Sequence, residues 1–107
     1  MTAIALAIPP TSTLSDLLWS RPDYWGGRPC IAGSGITVGR IGIYYREGCN
    51  AEQIWTDRLD KAVSLAHVHA ALAFYLANQA VVDADLDEQD RECERFAAEY
   101  KAANPRP

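Results

Sequence analysis

The chain has 107 residues, of which 49% are hydrophobic and 22% are charged. A chain of this length has room for one domain, and its apolar fraction argues against wholesale disorder. The formal net charge of −4 argues against a general polyanion-binding protein. The negative excess belongs to the C-terminal segment, because residues 83–101 hold eight acidic and three basic side chains, whereas residues 1–61 balance to zero and residues 62–82 carry no charge.

The N-terminal part predicts an arm followed by a small hairpin. Residues 1–15 are rich in Thr, Ser, Pro and Ala, which indicates a flexible arm. Their apolar start lacks the basic region of a signal peptide, so we expect a cytoplasmic protein. Residues 17–19 and 30–32 are short strand-like runs joined by a turn rich in Gly and Pro. Such a hairpin is marginal alone and needs another surface to pack on.

Residues 36–48 fit two kinds of secondary structure. Val38, Ile41 and Tyr45 recur at helical spacing, but Ile41, Ile43 and Tyr45 also alternate as in a strand. Two glycines inside the run each weaken a helix by about 1 kcal/mol relative to Ala. Periodicity favours the helix, and the strand remains an alternative.

Two capping signals then predict a pair of short helices. Asn50 followed by Gln53 is a capping-box pattern that begins a helix over residues 51–57. Ser64 can cap the next helix, over residues 65–76. Its predicted buried stripe consists of Leu65, Val68, Leu72 and Tyr75 or Leu76. Two consecutive helices with a short polar connection are compatible with a helix-turn-helix.

The helix pair could bind DNA or merely pack. In a helix-turn-helix, the N-terminal residues of the second helix contact base edges. Here that end has no Arg, Lys, Asn or Gln, so it is poorly suited to base recognition, and periodicity alone favours simple packing. The candidate DNA-binding residues, four for phosphates and two at the helix start, are Arg40, Arg46, Arg58, Lys61, Ser64 and His67.

The C-terminal segment predicts a long acidic helix from residue 83 to residue 101. Val82, Leu86, Cys93, Phe96 and Tyr100 form its apolar stripe. A 20-residue helix spans roughly 30 Å, so its far end can extend past a small body and bind a partner, although a solvated face is the alternative. The candidate partner-binding residues are Leu86, Arg91, Arg95, Phe96 and Tyr100.

No set of reactive or metal-binding side chains can be assembled. His67 and His69 are two residues apart, and on a helix they project about 200° from each other, with His69 near the buried stripe. The three cysteines have no zinc-site spacing. Cys30 could be a nucleophile, but its apolar neighbours indicate a core position. We therefore expect no enzyme, no metal and no cofactor.

Three ordered motifs give the chain a resemblance to a known family. The runs RPDYWGGRPCIAGSGITV (residues 21–38), GCNAEQI (48–54) and VSLAHVHAALAFY (63–75) resemble the motifs of the domain-of-unknown-function 433 family. The resemblance extends over about residues 20–100. The chain departs from the family pattern at Ser34-Gly35, where the family has Thr-Arg, and in the connection 58–62, which lacks the usual Tyr-Pro.

The resemblance implies a VapB-type antitoxin of a type II toxin–antitoxin module. The implied fold is mainly α: a small N-terminal β-hairpin, a homeodomain-like helix-turn-helix bundle and a long C-terminal helix, with an arm (1–15), a body (16–78) and a partner-binding segment (79–107). Such a protein forms a homodimer, neutralises a PIN-like ribonuclease toxin and represses its own operon by binding DNA. We expect no membrane association. Arg91, Arg95 or Arg106 would pair with the carboxylates that hold Mg²⁺ in the toxin. The alternative is an oligomerisation or scaffold module that no longer reads DNA.

Overall fold

A computed structural model describes residues 14–104 of the chain. These residues form a two-stranded antiparallel hairpin followed by four helices, so the predicted fold class is confirmed. Residues 1–13 and Arg106, to which predictions were attached, lie outside the described residues. The elements are β1 (Leu18–Trp19), β2 (Cys30–Ile31), α1 (Val38–Arg46), α2 (Ala51–Gln53), α3 (Leu65–Ala77) and α4 (Gln79–Ala103). The last two residues of the predicted arm belong to a 3₁₀ turn, Leu14–Asp16.

The hairpin is held against the helices by its second strand. Leu18 pairs with Ile31 and Trp19 with Cys30, and both residues of β2 are fully buried. The indole N–H of Trp19 donates to the Ile31 carbonyl at 3.2 Å, which secures the first strand. β2 packs on α3, and this contact supplies the additional surface that so short a hairpin requires.

The ambiguous run resolves as helix α1. The Thr37 hydroxyl accepts a hydrogen bond from the Arg40 backbone N–H and caps the N-terminus, and Gly48, at φ +100°, follows the C-terminus. Gly42 lies directly under the ring of Tyr75 from α3, where an added Cβ would be 2.6 Å from Cε1. Glycine is therefore useful inside this helix, because it lets α1 and α3 approach closely.

The second pair of helices begins at the predicted caps. Asn50 and Gln53 form the capping box of α2, which continues as a π-helical turn over Ile54–Arg58. Asp60 and Lys61, both with positive φ, turn the chain toward α3. The Ser64 hydroxyl caps α3 by accepting from the backbone N–H three residues later. Both predicted N-caps are confirmed.

The predicted orientation of α3 is wrong at His69. His69 is exposed rather than near the buried face, whereas Ala70, outside the predicted stripe, is buried. Of the two alternatives at the end of the stripe, Tyr75 is buried and Leu76 is 49% exposed. The reason is that α3 packs against α1 on one side and against the hairpin on another. A helix covered on two sides has no single stripe for a periodicity argument to find. Val68 and Tyr75 occupy the core as expected.

Helix α4 begins four residues earlier than predicted and extends beyond the rest of the molecule. Only Asn78 separates it from α3, and the two helices are bent by 94°. Val82 and Leu86 pack against the body, but every described residue from Asp90 onward is exposed. The described residues measure 69 × 30 × 23 Å, with a radius of gyration of 17.5 Å against about 13 Å for a compact 100-residue domain.

Among the residues that the structure describes, no single helix has both the length and the apolar character needed to cross a bilayer. The bent pair α3–α4 satisfies that criterion only when the two helices are counted together, by length and composition alone.

Candidate functional site

The distal part of α4 carries a narrow stripe of uncharged side chains that starts at the half-buried Gln89 and is exposed from residue 93 onward. Its members follow one another at alternating intervals of four and three residues: Gln89, Cys93, Phe96, Tyr100 and Ala103. Phe96 and Tyr100 are each 64% exposed. This spacing keeps one face of a helix in contact with a second helix, as in a coiled coil. We refer to these five residues as the distal stripe.

Leu86 does not belong to the exposed surface, contrary to its prediction as a partner-binding residue. It is only 6% exposed, and its Cδ2 lies 3.1 Å from the point where a Cβ on Gly39 would sit. Leu86 therefore anchors α4 on α1 and belongs to the protomer's own core. Sequence periodicity could not separate the anchoring part of the stripe from its exposed continuation.

Neither of the two predicted partner-binding arginines lies on the face of α4 that carries the aromatic residues. At about 100° per residue, Arg91 projects about 140–180° away from Phe96 and Tyr100, whereas Arg95 projects about 100–140° away from them. Arg91 is paired with Glu88, with 2.8 Å between its Nη2 and the carboxylate Oε2. Arg91 therefore faces away from a flat partner surface that contacts both aromatic rings, and Arg95 projects to one side of that surface.

A bidentate ion pair, not predicted from the sequence, holds α4 where it leaves the body. Nε and Nη2 of Arg28, in the turn between the strands, donate to the Asp85 carboxylate at 2.7 and 2.9 Å. Gln89 donates to the same carboxylate at 2.9 Å. The hydrogen bonds from Arg28 are the main reason that the pKa of Asp85 is lowered. Since 57 residues separate Arg28 and Asp85, no local pattern reveals the pair.

A small cavity adjoins the body end of the distal stripe. It measures about 270 Å³, and its lining includes Trp25, Ile36, Ile43 and Gln89. Trp25 is 56% exposed and has a φ of +49°, a backbone conformation that costs energy for a bulky side chain. Because Gln89 belongs to both, the cavity and the distal stripe form one continuous surface.

Two of the predicted DNA-binding residues meet around an aromatic ring. Nε of Arg40 donates to the Tyr44 hydroxyl at 2.9 Å, and the guanidinium of Arg58 lies 5.2 Å from the Tyr44 ring centroid. Arg58 also pairs with Glu47 at 2.9 Å. Both cations are exposed.

The other predicted DNA-binding residues are engaged elsewhere. Arg46 projects from another side of α1 and lies 3.6 Å from Asp83 of α4. The Lys61 ammonium lies 5.2 Å from the ring centroid of Trp55. Ser64 and His67 hydrogen-bond to each other at the start of α3. The structure thus brings together Arg40 and Arg58, and it separates Arg46 from them.

A wider apolar depression, also missed by the sequence analysis, lies beside α3. It measures about 630 Å³. Its lining includes Leu14, Leu18, Pro29, Ala70, Ala73 and Phe74. The alanines of α3 are the one sequence signal for it, because small side chains leave a depression between larger ones.

The candidate reactive side chains do not converge. Within residues 14–104, no three His, Cys, Asp or Glu side chains are placed to hold a metal ion. Burial raises the pKa of the Cys30 thiol, which is unfavourable for a nucleophile. Cys49 is half-buried and Cys93 is exposed.

Comparison with known proteins gives one match. A family model described as "Protein of unknown function (DUF433)" matches residues 20–75, just over half of the chain. No match was found among curated proteins or among solved structures. The matched region runs from the hairpin through most of α3 and ends before α4, so it is shorter than the resemblance over residues 20–100 had suggested.

Proposed function

The chain belongs to the DUF433 family, and we propose that it is an antitoxin-like protein that binds and neutralises a PIN-like ribonuclease toxin through the distal half of α4. The observation that supports this proposal most directly is the exposure of Phe96 and Tyr100 on a helix that extends past its own domain. Exposed aromatic residues are typical anchors of protein–protein interfaces.

The proposed mechanism differs in one respect from the expectation based on the resemblance. Phe96 and Tyr100 dock on the toxin, whereas Arg91 faces away from that surface and Arg95 projects to one side of it. Neutralisation then follows from steric obstruction of the nuclease rather than from pairing of these arginines with its metal-binding carboxylates. In this proposal the body provides a fixed base for α4, and repression of the operon is a separate role of the Arg40–Arg58 cluster.

The test is co-expression of the full chain with the nuclease encoded beside it, followed by co-purification and an RNA-cleavage assay. We expect the wild-type chain to retain the nuclease and to inhibit it. Phe96→Ala/Tyr100→Ala should lose both effects, while Asp87→Ala, on the opposite face of α4, should keep them. Substitutions are preferable to truncation, because Asp85 and Leu86 belong to the folded body. Undiminished inhibition by the double variant would refute the proposal.

The DNA-binding role has its own test. A mobility-shift assay with the promoter of the operon, with and without the nuclease, should show binding that weakens steeply as salt increases. Arg40→Ala/Arg58→Ala should abolish the shift, and Lys61→Ala should weaken it. Absence of any shift would remove repression from the proposal and leave toxin binding intact.

A second candidate function is an oligomerisation or scaffold module that no longer reads DNA. The observation that favours it is the absence of any Lys or Arg at the start of α3, where Ser64 and His67 instead bond to each other. The two candidates differ in their expected partners. A scaffold module should self-associate in light scattering and should not retain the nuclease.

A further inference from the structure

We infer that the distal stripe and the cavity at its body end together form a docking surface for a basic amphipathic helix of a different polypeptide. This inference rests on the proposed function and specifies the chemistry of the partner. It names the shape and the charge of the contacting element, neither of which follows from membership of the family.

The spacing of the distal stripe indicates that its occupant is a helix. Intervals of four and three residues are repeated from Gln89 to Ala103, over 15 residues or about 22 Å of helix. Side chains with this repeat remain on one face and interdigitate with a second helix crossing at about 20°. An extended segment, with its two-residue repeat, would not follow the same positions.

The charges beside the distal stripe indicate that its occupant is basic. Glu92 and Glu99 border one side of the stripe, and Asp90 borders the other. Among the positions that flank the stripe within residues 89–103, namely 90, 92, 97 and 99, none is Lys or Arg. Arg91 lies on the back of the helix, and Arg95 and Lys101 lie between the back and the borders. A partner with Lys or Arg beside its apolar face would pair with these carboxylates.

The same charges disfavour a second copy of the chain as the occupant. An antiparallel pair of α4 helices would place Glu92 and Glu99 of one copy opposite the same residues of the other, which is repulsive. A parallel pair would place them opposite Ala97 and Asn104, which offer no cation. Self-association therefore leaves the acidic border without a partner in either orientation.

The cavity extends the surface onto the body and defines one end of the docked helix. An apolar residue of the partner would enter the space between Trp25 and Ile43, next to Gln89. The volume of about 270 Å³ is sufficient for one large side chain. Docking would cover the exposed indole of Trp25, so its fluorescence emission reports on occupancy of this end.

The experiment uses the full chain and two labelled 18-residue peptides. Both peptides carry Leu along one helical face, and the flanking positions are Lys in one and Glu in the other. We expect fluorescence anisotropy to detect binding of the Lys peptide, weakening as salt increases, and no binding of the Glu peptide. A blue shift of tryptophan emission should accompany binding and should be absent in Trp25→Phe.

Matched variants separate a specific surface from general attraction between opposite charges. Glu92→Lys should weaken binding of the Lys peptide about fivefold, because it replaces an attraction with a repulsion. Asp87→Lys makes the same charge change on the opposite face and should alter binding less than about twofold. Phe96→Ala/Tyr100→Ala should weaken it more than about tenfold. Circular dichroism confirms that each variant is folded.

Several results would overturn the inference. These are failure of the Lys peptide to bind, equal binding of the Glu peptide, or equal effects of Glu92→Lys and Asp87→Lys. A dimer of the free chain that Phe96→Ala/Tyr100→Ala converts to monomers would show that a second copy is the occupant. If the nuclease fails to co-purify while the Lys peptide binds as described, the proposed function fails and this inference stands. If Glu92→Lys retains the nuclease undiminished, this inference fails and the proposed function stands.

Discussion

Replacing Gly42 with Ala is expected to destabilise the fold, although the same change stabilises most helices. In an exposed helix interior, Gly→Ala contributes about 0.5–1 kcal/mol of stability, because glycine loses more backbone freedom on folding. At Gly42 the added Cβ would lie 2.6 Å from Cε1 and 2.7 Å from Cδ1 of Tyr75. Favourable carbon–carbon contacts lie at about 3.5–4.0 Å.

The ring of Tyr75 cannot easily move away from such a methyl group. Tyr75 is fully buried, and its hydroxyl donates to the Asp83 carboxylate at 2.7 Å. Overpacking of a core typically costs about 1–3 kcal/mol. After subtraction of the helix-propensity gain, we expect Gly42→Ala to lower the free energy of unfolding by about 1–2 kcal/mol. That change corresponds to a decrease of about 5–15 °C in the melting temperature of a domain of this size.

Gly39→Ala is the matched control, because it lies one turn earlier in the same helix. Its added Cβ would meet Leu86 Cδ2 at 3.1 Å, at the end of a flexible side chain that can adjust. We therefore expect a change within about 1 kcal/mol. Urea unfolding followed by circular dichroism measures both variants, and an unchanged m-value shows that the comparison is valid. Equal stabilities for the two variants would refute the close α1–α3 packing.

Three further predictions concern individual side chains. Arg28→Ala should lower stability at neutral pH, and the difference from wild type should disappear as pH falls below about 3.8. The reason is that the pair with Arg28, which lowers the pKa of Asp85, stabilises the fold only while that carboxylate is ionised. Urea unfolding midpoints measured against pH test this, and a difference that stays constant with pH would contradict it. Tyr75→Phe should cost about 1 kcal/mol through loss of a hydrogen bond. Burial raises the pKa of Tyr75, so the wild type should lose stability above about pH 10, where this group ionises in the unfolded chain. Tyr75→Phe lacks the ionisable hydroxyl and should not show that loss in the same assay. Cys93 should react with iodoacetamide in the native state, and Cys30 should react only after unfolding. Mass spectrometry of the alkylated peptides measures this, and equal alkylation rates for the two thiols in the native state would contradict the burial of β2.

Local signals in the sequence predicted the elements that depend on local chemistry. The capping box at Asn50 and the Ser64 cap each require only residues within one helical turn, so both could be read from the chain. The antiparallel hairpin was also predictable, because its turn is marked by glycine and proline. Gly27 and Gly33 in the family motif have positive φ, which accounts for glycine at those positions.

The features that could not be predicted depend on residues far apart in the sequence. Burial of Ala70 requires the hairpin to pack on α3, and the pairing of Arg28 with Asp85 requires α4 to turn back across the body. Residues 38–46 form helix α1 rather than the alternative strand, and Gly42 of this helix packs under Tyr75 of α3. In the candidate site, the sequence indicated the exposed aromatic residues of α4 but not the cavity around Trp25, because a cavity arises from the relative placement of elements.

Helix α4 is already formed in the free chain, and this has a thermodynamic consequence for any complex that it forms. Leu86 and the Arg28–Asp85 ion pair hold the start of α4 against the body, and the helix is continuous through Ala103 without a bound partner. Segments that fold only upon association give up about 2–5 kcal/mol of interaction energy to ordering. For α4 that entropic penalty is largely absent, so the heat-capacity change of association should reflect the apolar area covered rather than helix formation.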